Sequence, residues 1–286
     1  MIRCCAAVLF AALALPCVAA GVPPQTVEVP SLDRRDGAAL MLRGYWFPRP
    51  GERPAPAIVL LHGCGGPYER GGRLSRRMHD YAELLNREGW HALVVDSLTP
   101  RGEIELCTQR IGERAVTMTQ RRRDAQGALR WLAAQPGVDA TRLGLLGWSN
   151  GGSTVLATLQ RGHPELAAAE VKPAFGIAFY PGCEDPLRRR WQPAAPLLML
   201  LGSADDWTPA APCEALAAQA GAAVQVESYA GAYHGFDGEA PLRLRRDVPN
   251  GVKPGQGVHV GGDPAARAAS RERLQRFLRE QAGAGR

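Results

Sequence analysis

A chain of 286 residues, 45% hydrophobic and 22% charged, can bury a sizeable core, which excludes a disordered or low-complexity protein. The formal net charge of +6 is carried almost wholly by arginine, with Lys172 and Lys253 the only lysines; no recognition motif or aromatic-interleaved basic stretch accompanies it, so no nucleic-acid partner is expected. Beyond residue 20 no apolar run approaches membrane-spanning length, so no stable membrane insertion of the mature chain is expected.

The chain opens with Met1-Ile2-Arg3, an apolar stretch from Cys4 to Leu15, and the small residues Val18-Ala19-Ala20. This is the pattern of a secretory signal peptide over 1–20, with the mature chain starting at Gly21 and 21–286 forming a single domain of an exported, periplasmic protein. Thr26–Val29 and Ala39–Phe47 read as antiparallel strands, and the wholly apolar Ala57–Leu61 as a buried one. Leu74–Arg87 has helical spacing, with Met78, Tyr81, Leu84 and Leu85 sharing a face. A strand at Ala92–Asp96, a loop from Ser97 to Glu113 and a helix over Val116–Ala134 follow. The strand Leu143–Leu146 leads to a helix over Gly152–Gln160. Phe175–Tyr180 and Leu197–Leu201 are buried strands separated by a Pro- and Arg-rich connection. A helix at Pro212–Ala220, a strand at Val224–Tyr229 and a helix at Pro264–Gln281 complete the pattern. Strands alternating with helices predict an α/β fold, a mostly parallel, doubly wound sheet covered by helices on both faces. In such sheets the ligand binds beyond the carboxyl ends of the strands. Asp237–Asp263 is long for a loop, and reads either as a lid contacting substrate or as a surface excursion.

The clusters Arg121–Arg123, Arg188–Arg190 and Arg243–Arg246 are expected on a solvated face rather than as an anion-attracting surface. Four cysteines follow the signal peptide. Cys64–Cys107 and Cys183–Cys213 are the expected disulfides, because each pair joins loops at the same edge of the sheet. Their spacing does not form a zinc site.

Ser149 stands in Gly147-Trp148-Ser149-Asn150-Gly151, between a predicted strand and a predicted helix. A sharp turn there lifts the hydroxyl clear of the backbone, demands small residues two positions to either side, and aims the first helical N–H groups at whatever the serine attacks. A serine hydroxyl needs an adjacent base, and the base an acid to orient it; in α/β-hydrolases these follow in the order Ser, acid, His. Asp205, in Gly202-Ser203-Ala204-Asp205-Asp206-Trp207-Thr208-Pro209, is the expected acid, with Asp206 solvated or capping a helix. His234, in Ala232-Tyr233-His234-Gly235-Phe236, is the expected base. His62 is tied to the turn His62-Gly63-Cys64-Gly65-Gly66, and His79, His91, His163 and His259 are expected to be structural or exposed. That turn supplies backbone donors for an oxyanion: Cys64 is expected to act with Asn150, with Gly65 as the substitute for Cys64. Trp148, Tyr180, Trp191 and Trp207 either line a pocket or belong to the core.

Together these motifs resemble the dienelactone hydrolase family of α/β-hydrolases, over about Gln25 to Leu278. The resemblance implies a Ser or Cys nucleophile, an Asp and a His, matched here by Ser149, Asp205 and His234, with no metal or organic cofactor. The enzymes that name the family use Cys and are cytoplasmic; Ser149 and the signal peptide shift the expectation from dienelactones to a more general carboxylic ester or lactone as the small-molecule partner. A peptidase or acyltransferase with the same triad, or a non-catalytic binding protein on this scaffold, are the alternatives.

Overall fold

The computed structural model describes residues 23–283, so the signal peptide expected over 1–20 lies outside the described residues. The elements in chain order are β1 (Gln25–Arg35), β2 (Ala38–Phe47), β3 (Ala55–Leu61), α1 (Arg76–Arg87), β4 (His91–Asp96), α2 (Met118–Ala133), β5 (Val138–Trp148) and α3 (Asn150–Thr158). There follow α4 (Pro164–Ala167), β6 (Phe175–Phe179), α5 (Glu184–Arg188), β7 (Leu197–Gly202), α6 (Ala210–Ala220), β8 (Val224–Tyr229), β9 (Arg243–Arg245), β10 (Val258–Val260) and α7 (Pro264–Gly283). An eight-stranded sheet runs β1-β2-β4-β3-β5-β6-β7-β8; β1, β2 and β4 pair antiparallel in turn, and every pairing from β4 onward is parallel. The expected mostly parallel α/β sheet is therefore present.

The pleat divides the central strands between two cores. Val59 and Leu145 point into a cluster with Leu129 of α2 and Val155 of α3, while Leu60 and Leu146 point into one with Tyr81 of α1 and Phe277 of α7. Because both faces are covered, β3 and β7 are buried at every residue and read as continuous apolar runs rather than alternating ones.

The first hairpin is longer than expected because Asp36-Gly37 closes it, both residues at positive φ (52° and 82°), as a tight two-residue hairpin turn requires. The second helix starts at Met118 rather than Val116 because Thr117 caps it: Thr117 Oγ1 accepts from Thr119 N–H at 3.3 Å, and Gln120 Oε1 accepts from Thr117 N–H at 2.9 Å. The solvated reading of Arg121–Arg123 is corrected by this helix. Arg121 is fully buried, and Arg122 and Arg123 each reach a different oxygen of Glu165 at 2.7 Å. The partners lie on distant elements, so the face is a polar seam running from buried Arg121 out to half-exposed Arg123; Asp124 beside them accepts from Ser31 (2.6 Å) and Arg101 (2.8 Å). Among the described residues no helix is long and apolar enough to cross a membrane.

Candidate active site

Ser149 is the single residue between β5 and α3, held at φ 54° and ψ −116°. Its N–H donates to Phe179 O at the end of β6 (2.9 Å), and its carbonyl accepts from Ser153 N–H (2.8 Å), so the helix begins at Asn150, two residues before the expected start. The flanking glycines have a steric cause. A Cβ on Gly147 would stand 2.2 Å from Gly151 O, and one on Gly151 would stand 1.9 Å from Leu61 O, so any side chain there breaks the crossing. The serine side is half-buried and open enough to meet a ligand.

The turn after β3 lies against this elbow. A Cβ on Gly63 would fall 3.6 Å from Ser149 Cβ. The turn is held from below by His62 and Arg121. His62 Nδ1 lies 2.7 Å from Gly63 O, and Nε2 accepts from Ser97 N–H at 3.2 Å, which sets the tautomer. Arg121 donates to His62 O at 2.6 Å. Burial, reinforced by the Arg121 charge, drives the His62 imidazole well below its ordinary range, so it is neutral. Burial likewise lowers Arg121 to about 10, which leaves it charged at neutral pH. On its outer side the turn is fastened by a Cys64–Cys107 disulfide, and Cys64 O accepts from Leu106 N–H at 2.7 Å. The second disulfide joins Cys183 to Cys213. Both pairings are those expected. Among the described residues, the backbone N–H groups of Cys64, Gly65 and Asn150 have no protein acceptor.

Asp205 and His234 meet beyond the ends of β7 and β8. Asp205 Oδ2 lies 2.8 Å from His234 Nδ1, with both side chains buried. The other carboxylate oxygen accepts from Trp207 N–H (2.8 Å) and Thr208 N–H (2.9 Å), so the acid is fixed by the turn that carries it. The Thr208 hydroxyl, which had no predicted role, lies 3.1 Å from both Asp205 Oδ2 and His234 Nδ1. The imidazole lies against both Tyr180 and Trp207, tilted to each, at centroid separations of 4.5 Å and 4.6 Å. Tyr180 follows Phe179, the residue that binds Ser149 N–H, so the histidine sits at the same strand end as the serine.

Asp206 is a third exposed but caps no helix. It accepts from His259 N–H at 2.8 Å and pairs with His259 Nδ1 at 2.7 Å, while its carbonyl accepts from Val252 N–H. Two adjacent carboxylates at a sharp turn point opposite ways, one to each histidine. The 237–263 segment is thereby tied down. It forms the β9–β10 ribbon, places Val260 beside His234, and through Asn250 binds Gln109 O and Ile111 N–H of the preceding loop. Of the four aromatics in question, Trp148, Tyr180 and Trp191 are core residues and Trp207 is half-buried beside His234. Asp237, also without a predicted role, is buried between Trp148 and Tyr180. Among the described residues no group of three or more His, Cys, Asp or Glu side chains is placed to hold a metal ion.

The family model described as the dienelactone hydrolase family matches residues 42–281. No curated protein matches the chain. Among solved structures, esterase 2 of Thermogutta terrifontis phosphorylated by paraoxon aligns with a TM-score of 0.62 at 17% identity, covering 93% of this chain and 97% of its own. The same esterase with propionate bound aligns at 0.57 and 21% identity, covering 88% and 93%. A dienelactone hydrolase-like promiscuous phosphotriesterase from metagenomic libraries aligns at 0.63 and 21% identity, covering 91% and 99%. At these identities the likeness carries the fold.

Proposed function

The chain belongs to the dienelactone hydrolase family, and we propose that this carboxylic ester hydrolase works as a serine-nucleophile member, cleaving esters or lactones through an acyl-enzyme on Ser149. The observation that carries the reading is a half-buried serine at φ 54° sharing a strand end with a buried imidazole whose Nδ1 is bonded to a carboxylate. With Nδ1 committed to Asp205, Nε2 is the basic nitrogen. His234 takes the Ser149 proton as Oγ adds to the ester carbonyl, and Asp205 holds the ring and favours the imidazolium. The N–H groups of Cys64 and Asn150 receive the oxyanion; one such donor is worth about 3 kcal/mol in the transition state. Collapse expels the alcohol with the proton from His234, and water, activated by the same base, releases the acid and restores Ser149.

We read residues 1–20 as a signal peptide and 21–286 as one domain acting in the periplasm. The two disulfides favour an oxidising compartment. The structural neighbours held with propionate or phosphorylated by paraoxon make short-chain acyl esters the first substrates to try and paraoxon a suitable trap. Peptide analysis of paraoxon-treated protein is expected to find Ser149 phosphorylated in the folded chain and unmodified in the denatured one. Modification elsewhere, or none, overturns the assignment.

The oxyanion turn depends on its staple. Replacing Cys64 and Cys107 together by serine releases a crosslink spanning 43 residues, which on the chain-entropy account costs about 4 kcal/mol. Thermal unfolding is expected to show the loss of stability, and ester turnover measured well below the new midpoint is expected to fall roughly tenfold as the turn loosens. Unchanged turnover would mean the staple serves the fold alone.

A further inference from the structure

Asp237 stands three residues after His234 and is 2% exposed. Its Oδ1 accepts from the Tyr180 hydroxyl at 2.6 Å, and its Oδ2 from Trp148 Nε1–H at 3.0 Å. Arg77 of α1 lies 3.3 Å from Oδ1 as counter-ion. Burial keeps the Tyr180 phenol protonated, so it is a donor here. A carboxylate taken this far from water is costly unless hydrogen-bonded and paired, and these three groups meet that need.

The two aromatics it holds are the neighbours of the reacting pair. Trp148 is bonded directly to Ser149 along the chain. Tyr180 follows the residue whose carbonyl binds Ser149 N–H, and its ring lies 4.5 Å from His234. One carboxylate therefore grips the nucleophile elbow with one oxygen and the platform under the base with the other. The hydrogen bond from the neutral phenol to the carboxylate also enriches the Tyr180 ring, which lies against the imidazole and so favours a cation there.

We propose that Asp237 is a positioning residue, which locks the Ser149 elbow and the His234 ring into register and supports the imidazolium formed during attack. The proposal rests on the serine-hydrolase reading above. It acts on the transition state rather than on substrate binding, because the Asp237 side chain is fully buried and spent on Trp148, Tyr180 and Arg77. Steady-state kinetics on p-nitrophenyl propionate test it. Asp237→Asn, which keeps the shape but sets an amide N–H against one of the two donors, is expected to lower kcat on the order of 10²-fold with KM within about twofold. Tyr180→Phe is expected to lower kcat about tenfold, again with KM preserved. The double variant is expected to be no slower than Asp237→Asn, because both act through one linkage.

An unchanged kcat in folded Asp237→Asn, or losses that multiply in the double variant, overturns the proposal while leaving Ser149 chemistry intact. Should Asp237→Asn fail to fold, Tyr180→Phe decides: a fall in kcat at constant KM supports the linkage and an unchanged kcat overturns it. A wild-type protein that neither hydrolyses the ester nor is phosphorylated at Ser149 by paraoxon overturns the underlying reading, and the proposal with it.

Discussion

Ser149→Ala is expected to lower ester turnover by roughly four to six orders of magnitude without disturbing the fold. On the proposed mechanism the loss is large because the hydroxyl forms the acyl bond itself, and what remains is the background supplied by backbone donors and substrate positioning. The fold survives because the serine side chain makes no hydrogen bond to another described residue, while its backbone is held by Phe179 O and Ser153 N–H, which alanine retains. Alanine also inherits the positive φ of 54°, where a side chain costs about 1–3 kcal/mol. Ser149→Gly removes that strain against a loss of about 0.5–1 kcal/mol from glycine's freer unfolded chain. The glycine variant should therefore melt above the alanine variant, though both are inactive. The pair of variants separates the two consequences of one turn: the chemistry lost with the hydroxyl, and the strain stored to present it. Activity in Ser149→Ala within a hundredfold of wild type would remove Ser149 from the reaction, and equal melting points would remove the strain.

The elbow was legible because a buried strand, a short Gly-x-Ser-x-Gly turn and a helix follow one another directly in the chain. Gly147 and Gly151 are small owing to atoms a few residues away or on the neighbouring strand β3, and the apolar run before them is a strand buried on both faces. The parallel strands β3, β5, β6 and β7 were legible for the same reason. What escaped is what depends on distant partners. Arg121 looks like a surface cation in sequence, but its acceptor, the His62 carbonyl, is 59 residues away. Asp237 is bound to donors 89 and 57 residues away, so nothing nearby marks it. The β9–β10 ribbon has three residues in each strand, Arg243-Leu244-Arg245 and Val258-His259-Val260, so its alternation is too short for periodicity to register. The start of the second helix moved because a capping box, not hydrophobic spacing, sets a helix boundary.

The adjacent carboxylates provide the sharpest contrast between roles. Asp205→Asn is expected to reduce kcat by about 10⁴-fold, because an amide can present N–H to His234 Nδ1, disfavour the productive tautomer and leave the imidazolium without its anion. The geometry permits little escape: Asp205 is buried, and its other oxygen is already occupied by two backbone N–H groups, so the amide oxygen is drawn to those donors and its nitrogen faces the ring. Asp206→Asn is expected to cost less than tenfold. Its partner His259 is more than a third exposed, and an ion pair in that setting is weak because water screens it. The asparagine still accepts from the His259 backbone N–H, so the ribbon keeps its anchor. Measuring kcat for the two variants on one ester distinguishes a carboxylate that orients the base from one that fastens a loop. If Asp206→Asn proved the slower enzyme, the roles would be reversed, and the 237–263 segment would have to move to bring Asp206 to His234.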